Sequence, residues 1–147
     1  MIQAQDARHV VLMASLAHTS SETVTSSLDL KGADYATIEI NLGIEKNTNA
    51  IGPTIVLSEG DTTSSFATWS SSCTITGAAD DLVAAKEVLL HVDTKARKRY
   101  LKLSVATGTA TNDDVTFGAC ARLSRLSKSP ASTSDMVNTT NDIVRIL

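Results

Sequence analysis

Between Lys86 and Ser127 the chain alternates apolar and polar residues with a period of two, in three successive runs. In the middle run Leu101, Leu103 and Val105 alternate with Tyr100, Lys102 and Ser104. In the last, Val115, Phe117, Ala119, Ala121 and Leu123 alternate with Thr116, Gly118, Cys120, Arg122 and Ser124. A strict period of two predicts strands that bury one face and wet the other. The first run carries Val88, Leu90 and Val92 on one face and places His91 on the opposite, solvent face. Polar turns join the three strands, and the first turn holds the most basic stretch of the chain: Lys95, Arg97, Lys98 and Arg99, followed by Lys102.

The remainder reads the same way. Tyr35 to Leu42 is the cleanest single strand, with Ala36, Ile38, Ile40 and Leu42 set against Tyr35, Thr37, Glu39 and Asn41. Val10 to Leu16 is a nearly continuous apolar run, read as a strand because Ser/Thr-rich sequence follows it without a helix stop signal. Thr23 to Leu30 reads as a polar edge strand, and Thr54 to Ser58, Ser65 to Trp69 and Ser72 to Thr76 as shorter ones. Lys31-Gly32-Ala33-Asp34 and Glu59-Gly60-Asp61-Thr62 are turns, the glycines offering positive φ. Gly77 to Ala85 is a loop with room for one helical turn. About eight or nine strands at this spacing predict an all-β fold, a β-sandwich or jelly-roll-like single domain.

With 147 residues the chain suits one domain and can bury a core without disulfides or metals. Hydrophobic residues make up 42% but aromatics only 3%, so the core must be built of Val, Ile, Leu and Ala. Phe66, Trp69 and Phe117 are its expected large pieces. A net charge of -3 argues against a general nucleic-acid binder, which would carry a basic domain. Cys73 and Cys120 fall on faces that disfavour pairing, so both are expected as thiols. No run approaches the ~20 apolar residues of a membrane span. The N-terminal segment is too short in its apolar part, and too acidic at Asp6, for a signal peptide, which points to a product made in the cytoplasm.

Beyond Ser127 the character changes. The sequence SKSPASTSDMVNTTND is polar and low in complexity, yet it ends in Ile143, Val144, Ile146 and Leu147 around Arg145. The expected organisation is a sandwich over 1–127 and an extended C-terminal arm over 128–147. An apolar tip on a polar arm suggests docking onto a neighbouring subunit's edge or groove; a strand returning to its own domain is the alternative. Val137, Ile143, Val144, Ile146 and Leu147 are therefore candidate contact residues.

Catalytic and metal constellations are not indicated. His9, His18 and His91 have no partners at metal-ligand spacing. No serine sits in a nucleophile elbow, and the glycines form no phosphate cradle. Asp80-Asp81, Asp113-Asp114 and Glu59-Gly60-Asp61 read as solvated turns rather than calcium sites. The expectation is no enzyme, no cofactor and no metal. The basic run Lys95, Arg97, Lys98 and Arg99 reads either as a solvated turn or as a contact for an acidic protein surface. Nucleic acid is disfavoured, because stacking needs interleaved aromatics and only Tyr100 is adjacent in sequence.

The blocks DLKGADYATIEINLG, LSEGDTTSSFATW and RKRYLKLSVATG…VTFGACARLSRLSKSP resemble small virion proteins of tailed phages, the head decoration or cement family. The resemblance spans Leu28 to Pro130 as a pattern of strands and turns. It implies a β-sandwich subunit on the outside of an expanded capsid, made in the host cytoplasm. Its implied partners are the major capsid protein and further copies of itself, as a dimer or trimer. Neither nucleic acid nor membrane is implied. The alternatives are a head-tail joining or tail protein, or a carbohydrate-binding β-sandwich.

Overall fold

The computed structural model describes residues 7–43, 52–76, 84–109, 114–124 and 143–146. They form nine strands: β1 (Ala7–His18), β2 (Thr23–Asp29), β3 (Tyr35–Leu42), β4 (Thr54–Gly60), β5 (Thr74–Ile75), β6 (Lys86–Asp93), β7 (Tyr100–Ala106), β8 (Val115–Ser124) and β9 (Ile143–Ile146). One sheet has the order β1-β8-β3-β6-β9 and the other β2-β7-β4-β5. The first eight strands therefore pair 1 with 8, 2 with 7, 3 with 6 and 4 with 5, all antiparallel. This is one long hairpin, tipped at β4–β5 and rolled so that alternate rungs fall into two facing sheets. The result is the eight-stranded jelly roll, which bears out the expected all-β sandwich.

The core lies between the sheets and consists of the residues that the alternation assigns to it. Phe117, Ile38, Ile40, Leu90, Val88 and Val92 from one sheet meet Ile55, Leu57, Leu101, Leu103 and Val105 from the other, all at 2% exposure or less. Branched aliphatics fit the pleat and lock at χ1, so a sandwich can be filled densely with little aromatic volume. Phe117 is fully buried, but Phe66 and Trp69 are only half-buried, and of the two Trp69 packs against the core. They sit in the β4–β5 connection rather than on a paired strand.

That connection is also where short strands fail to form. Ser65 to Trp69 makes a single bridge, Ala67 to Glu59, instead of a strand. The chain doubles back tightly over Gly60, where a Cβ would lie 2.1 Å from the Ser65 carbonyl oxygen. Ser72 to Thr76 contracts to the two residues of β5, because Ser71–Cys73 is a 3-10 turn capped by Ser70. The Lys31 to Asp34 turn forms as expected, with Gly32 at φ 79°.

β1 is an outer strand, and its register with β8 slips twice, between Val11 and Met13 and between Met13 and Leu16. Gly118 permits the second irregularity, since a Cβ there would meet Ser15 backbone at 3.0 Å. At the other edge, β9 pairs with β6 in parallel, Val88 opposite Ile143 and His91 opposite Ile146. The tip of the C-terminal segment is thus the fifth strand of this chain's own sheet. Among the expected contact residues of the arm, Val137 and Leu147 lie outside the described residues.

Candidate functional site

The basic turn between β6 and β7 is the best-defined polar feature. Asp93 ends β6 and caps a 3-10 turn, Thr94–Ala96, by accepting from the Lys95 backbone N–H at 3.0 Å. Thr94 is buried and its backbone N–H donates to the Asp34 carbonyl at 3.2 Å, which docks this turn against the β2–β3 turn. The following cations then leave in fixed directions. Arg99 makes a two-pronged contact with the Asp29 carboxylate, at 3.1 Å from Nε and 2.9 Å from an Nη. Lys98 Nζ lies 2.8 Å from Asp61, and Arg97 lies 3.7 Å from Glu59. Glu59 also accepts from the Lys98 backbone N–H at 3.0 Å.

These contacts shift the groups accordingly. The Arg99 guanidinium, helped by the Lys31 N–H, holds the Asp29 carboxyl down to about 2. Arg99 and Lys98 are pushed up by the carboxylates of Asp29 and Asp61. Asp29, Arg99 and Lys98 are each held in the charged form by the partner beside them. The stretch that reads in sequence as a positive patch is largely neutralised by acids brought from β2, β4 and the β4–β5 connection. Among the described residues the Lys95 ammonium has no ion-pair partner.

Aromatic faces lie against the cations of this turn and of the start of β7. Arg97 lies over Trp69 at 4.7 Å, Arg99 over Tyr100 at 4.9 Å and Lys102 over Phe66 at 5.0 Å. Sequence adjacency offers only Tyr100; the other two rings arrive through the β4–β5 connection. Each ring carries a cation of this chain on one face, an arrangement that stiffens the turn. A shallow depression of about 420 Å³ lies beside it, lined by Leu30, Lys31, Ala33, Thr94, Arg97, Lys98 and Arg99.

The outward face of the five-stranded sheet holds the second cluster. His91, expected in solvent, is buried at 7% exposure. Its Nδ1 lies 3.2 Å from Thr37 Oγ1, and its ring lies 5.9 Å from that of Tyr35, itself buried. The alternation does predict which face His91 occupies. That face is not all wet, because His91 sits in the interior of a five-stranded sheet with β3 on one side and β9 on the other. Burial lowers the His91 pKa and raises that of Tyr35 to about 12. His91 Nε2 and Tyr35 Oη are buried with no hydrogen-bond partner among the described residues.

The other histidines do not join this cluster. His18 closes β1, stacks on Phe117 at 4.0 Å and contacts Glu22 at 3.0 Å. His9 is exposed. Cys73 and Cys120 are both free thiols, Cys73 in the core and Cys120 half-buried on the outward face. Among the described residues no three His, Cys, Asp or Glu side chains are grouped to hold a metal. Asp80, Asp81 and Asp113 lie outside the described residues. Among the described residues no helix is long and apolar enough to cross a membrane.

β1 completes the surface features. This outer strand exposes two large apolar side chains, Val11 at 76% and Leu16 at 59%. The alternation in Val10 to Leu16 is too weak to show this, since nearly every residue there is apolar.

No family model matches the chain and no curated protein resembles it closely enough to count as a match. Among solved structures it is similar to a subunit of the disulfide-linked pili that form Bacillus endospore appendages. That likeness has a TM-score of 0.44 at 15% identity, covering 82% of this chain and 91% of the other. It is also similar to the coat protein of Tobacco streak virus, with a TM-score of 0.36 at 9% identity, covering 90% and 96%.

Proposed function

We propose that this chain is a non-enzymatic structural subunit that binds the outer surface of a phage capsid, associates with copies of itself and stabilises the shell. The observation that carries the reading is the five-stranded sheet with an apolar outer strand. β1 presents Val11 and Leu16 to solvent on a rigid, closely packed sandwich. Large exposed aliphatics on an ordered edge are what a protein partner would bury. The jelly roll is a fold that viral shells use, though lectins and cupins use it too, so fold alone is an analogy. The resemblance of Leu28 to Pro130 to head decoration proteins supplies the partner, the major capsid protein, and the location on the virion exterior.

Decoration asks little of any single contact. A subunit that touches several capsid proteins sums weak interactions through multivalency. If it binds only the expanded shell, it stabilises that state by mass action. The sugar-binding alternative is disfavoured by Trp69, Tyr100 and Phe66, each of which has a face taken by Arg97, Arg99 or Lys102.

The test is co-sedimentation of the purified protein with expanded heads that lack it, titrated to saturation. Saturable binding at a fixed ratio to the capsid protein is the expected result, and the ratio identifies the symmetry position. An absence of binding, with the protein forming closed rings, would overturn decoration in favour of a head-tail joining component.

A further inference from the structure

We infer that β9 is an exchangeable strand: in the assembled state Ile143–Ile146 of one copy seals the β6 edge of a second copy. The inference rests on the proposed self-association of the subunit and specifies the surface through which it occurs.

The seat is built into β6. Its core face is Val88, Leu90 and Val92, all at 2% exposure or less, and its outward positions Leu89 and His91 are half-buried and buried. Without β9 this would be a long apolar edge with a row of unpaired backbone groups, the kind of edge that proteins keep covered. β9 covers the four levels from Val88 to His91. It is also the one strand joined in parallel, whereas every other pairing among the described residues is antiparallel. Antiparallel neighbours follow from short turns, but a parallel neighbour needs a long crossover or none at all. A strand supplied by another copy needs none.

The connection permits the exchange. Eighteen residues, 125 to 142, separate the end of β8 from the start of β9. β8 ends level with Asp93 through Tyr35, and β9 begins level with Val88. Those points lie three strand spacings apart across the sheet and five residues apart along it, or roughly 22 Å. Eighteen residues reach roughly 60 Å when extended. Pairing within one chain and pairing between two make the same backbone bonds, so the balance is set by effective concentration and by neighbouring contacts. Neighbours crowded on a shell would tip it towards exchange.

Leu89 lies opposite Val144 in the register, at a strand spacing that a disulfide can bridge. Chains carrying Leu89→Cys or Val144→Cys, each with Cys73→Ala and Cys120→Ala, are co-expressed with different tags and oxidised. The expected result is a covalent dimer containing both tags, absent from either variant expressed alone. Light scattering gives the oligomer mass, and the head-binding titration is run in parallel. An oligomer without the mixed dimer, while the double variant Leu89→Cys/Val144→Cys cross-links within single chains, overturns the exchange. Heads decorated with the two single-cysteine variants together and then oxidised that yield no mixed dimer also overturn the exchange and leave the decoration reading standing. The mixed dimer without head binding keeps the exchange and overturns decoration.

Discussion

His91 shows how much a single buried position can cost and control. Alternation puts it opposite Val88, Leu90 and Val92, yet it is buried beside Tyr35 and Thr37 with Nε2 unpartnered among the described residues. Burial disfavours the imidazolium, so the folded pKa lies below the ordinary value of 6.5. The unfolded chain therefore binds more protons than the folded one as pH falls through that value. Stability is retained above about 6.5 and declines below it, because protonation pulls the equilibrium towards the unfolded chain. Leu fills a similar volume without the polar nitrogens. His91→Leu is expected to flatten the stability profile as pH falls below about 6.5, read from urea midpoints at each pH. An unchanged slope in the variant would show that another group sets the acid response. Asp29 titrates elsewhere: its folded value of about 2 makes its contribution fade only as pH drops below the ordinary carboxylate range.

At the scale of the element, the β6–β7 turn depends on an acid from another strand. Glu59 belongs to β4, on the core-side row with Leu28 and Leu101, but lies at the sheet's end where it reaches the turn. It accepts from the Lys98 N–H and sits 3.7 Å from Arg97, with both side chains at 20% exposure or less. Glu59→Gln keeps the shape and removes the charge. The expected loss is about 1–2 kcal/mol in chemical denaturation, the scale of a charge-assisted hydrogen bond to a half-buried group. A loss within a few tenths would mean that the turn is held by Asp29 and Asp61 alone. This dependence also marks the limit of what could be read in advance. Tyr35 to Leu42 was legible to the residue because its alternation is unbroken, and the basic run was legible as a run. Its neutralisation was not, because Asp29 lies 70 residues before Arg99 and Glu59 lies 39 before Lys98. The two-residue β5 and the single bridge at Ala67 are too short to carry a period at all. The exposure of Val11 and Leu16 depends on β1 being an outer strand with two slips of register, which follows from its partner and not from its own residues.

For the whole molecule, the rolled hairpin joins the first strand to the eighth and the second to the seventh, so its defining pairings are non-local. Such topologies fold slowly, in milliseconds to seconds, because loop closure is met before the contacts that reward it. They leave intermediates with unpaired edges for longer than a helical protein does. The two flanks of the jelly-roll sheet β1-β8-β3-β6 are protected differently. β1 is interrupted by register slips and Gly118 lets Ser15 sit close against β8, a geometry that discourages a further strand. β6 has no such interruption in its pairing with β3 and relies on β9. Truncation after Ser124 therefore separates folding from edge protection. The eight rolled strands and their core remain, so unfolding should stay cooperative, with a midpoint lowered by only a few degrees. The bare β6 edge, with Val88, Leu89 and Leu90 along it, should make the truncated protein aggregate on concentration, seen as rising light scattering well below the unfolding midpoint. A truncated chain that stays monodisperse would mean that the β6 edge needs no cover. One that loses its cooperative transition would place β9 inside the folding unit rather than on its rim.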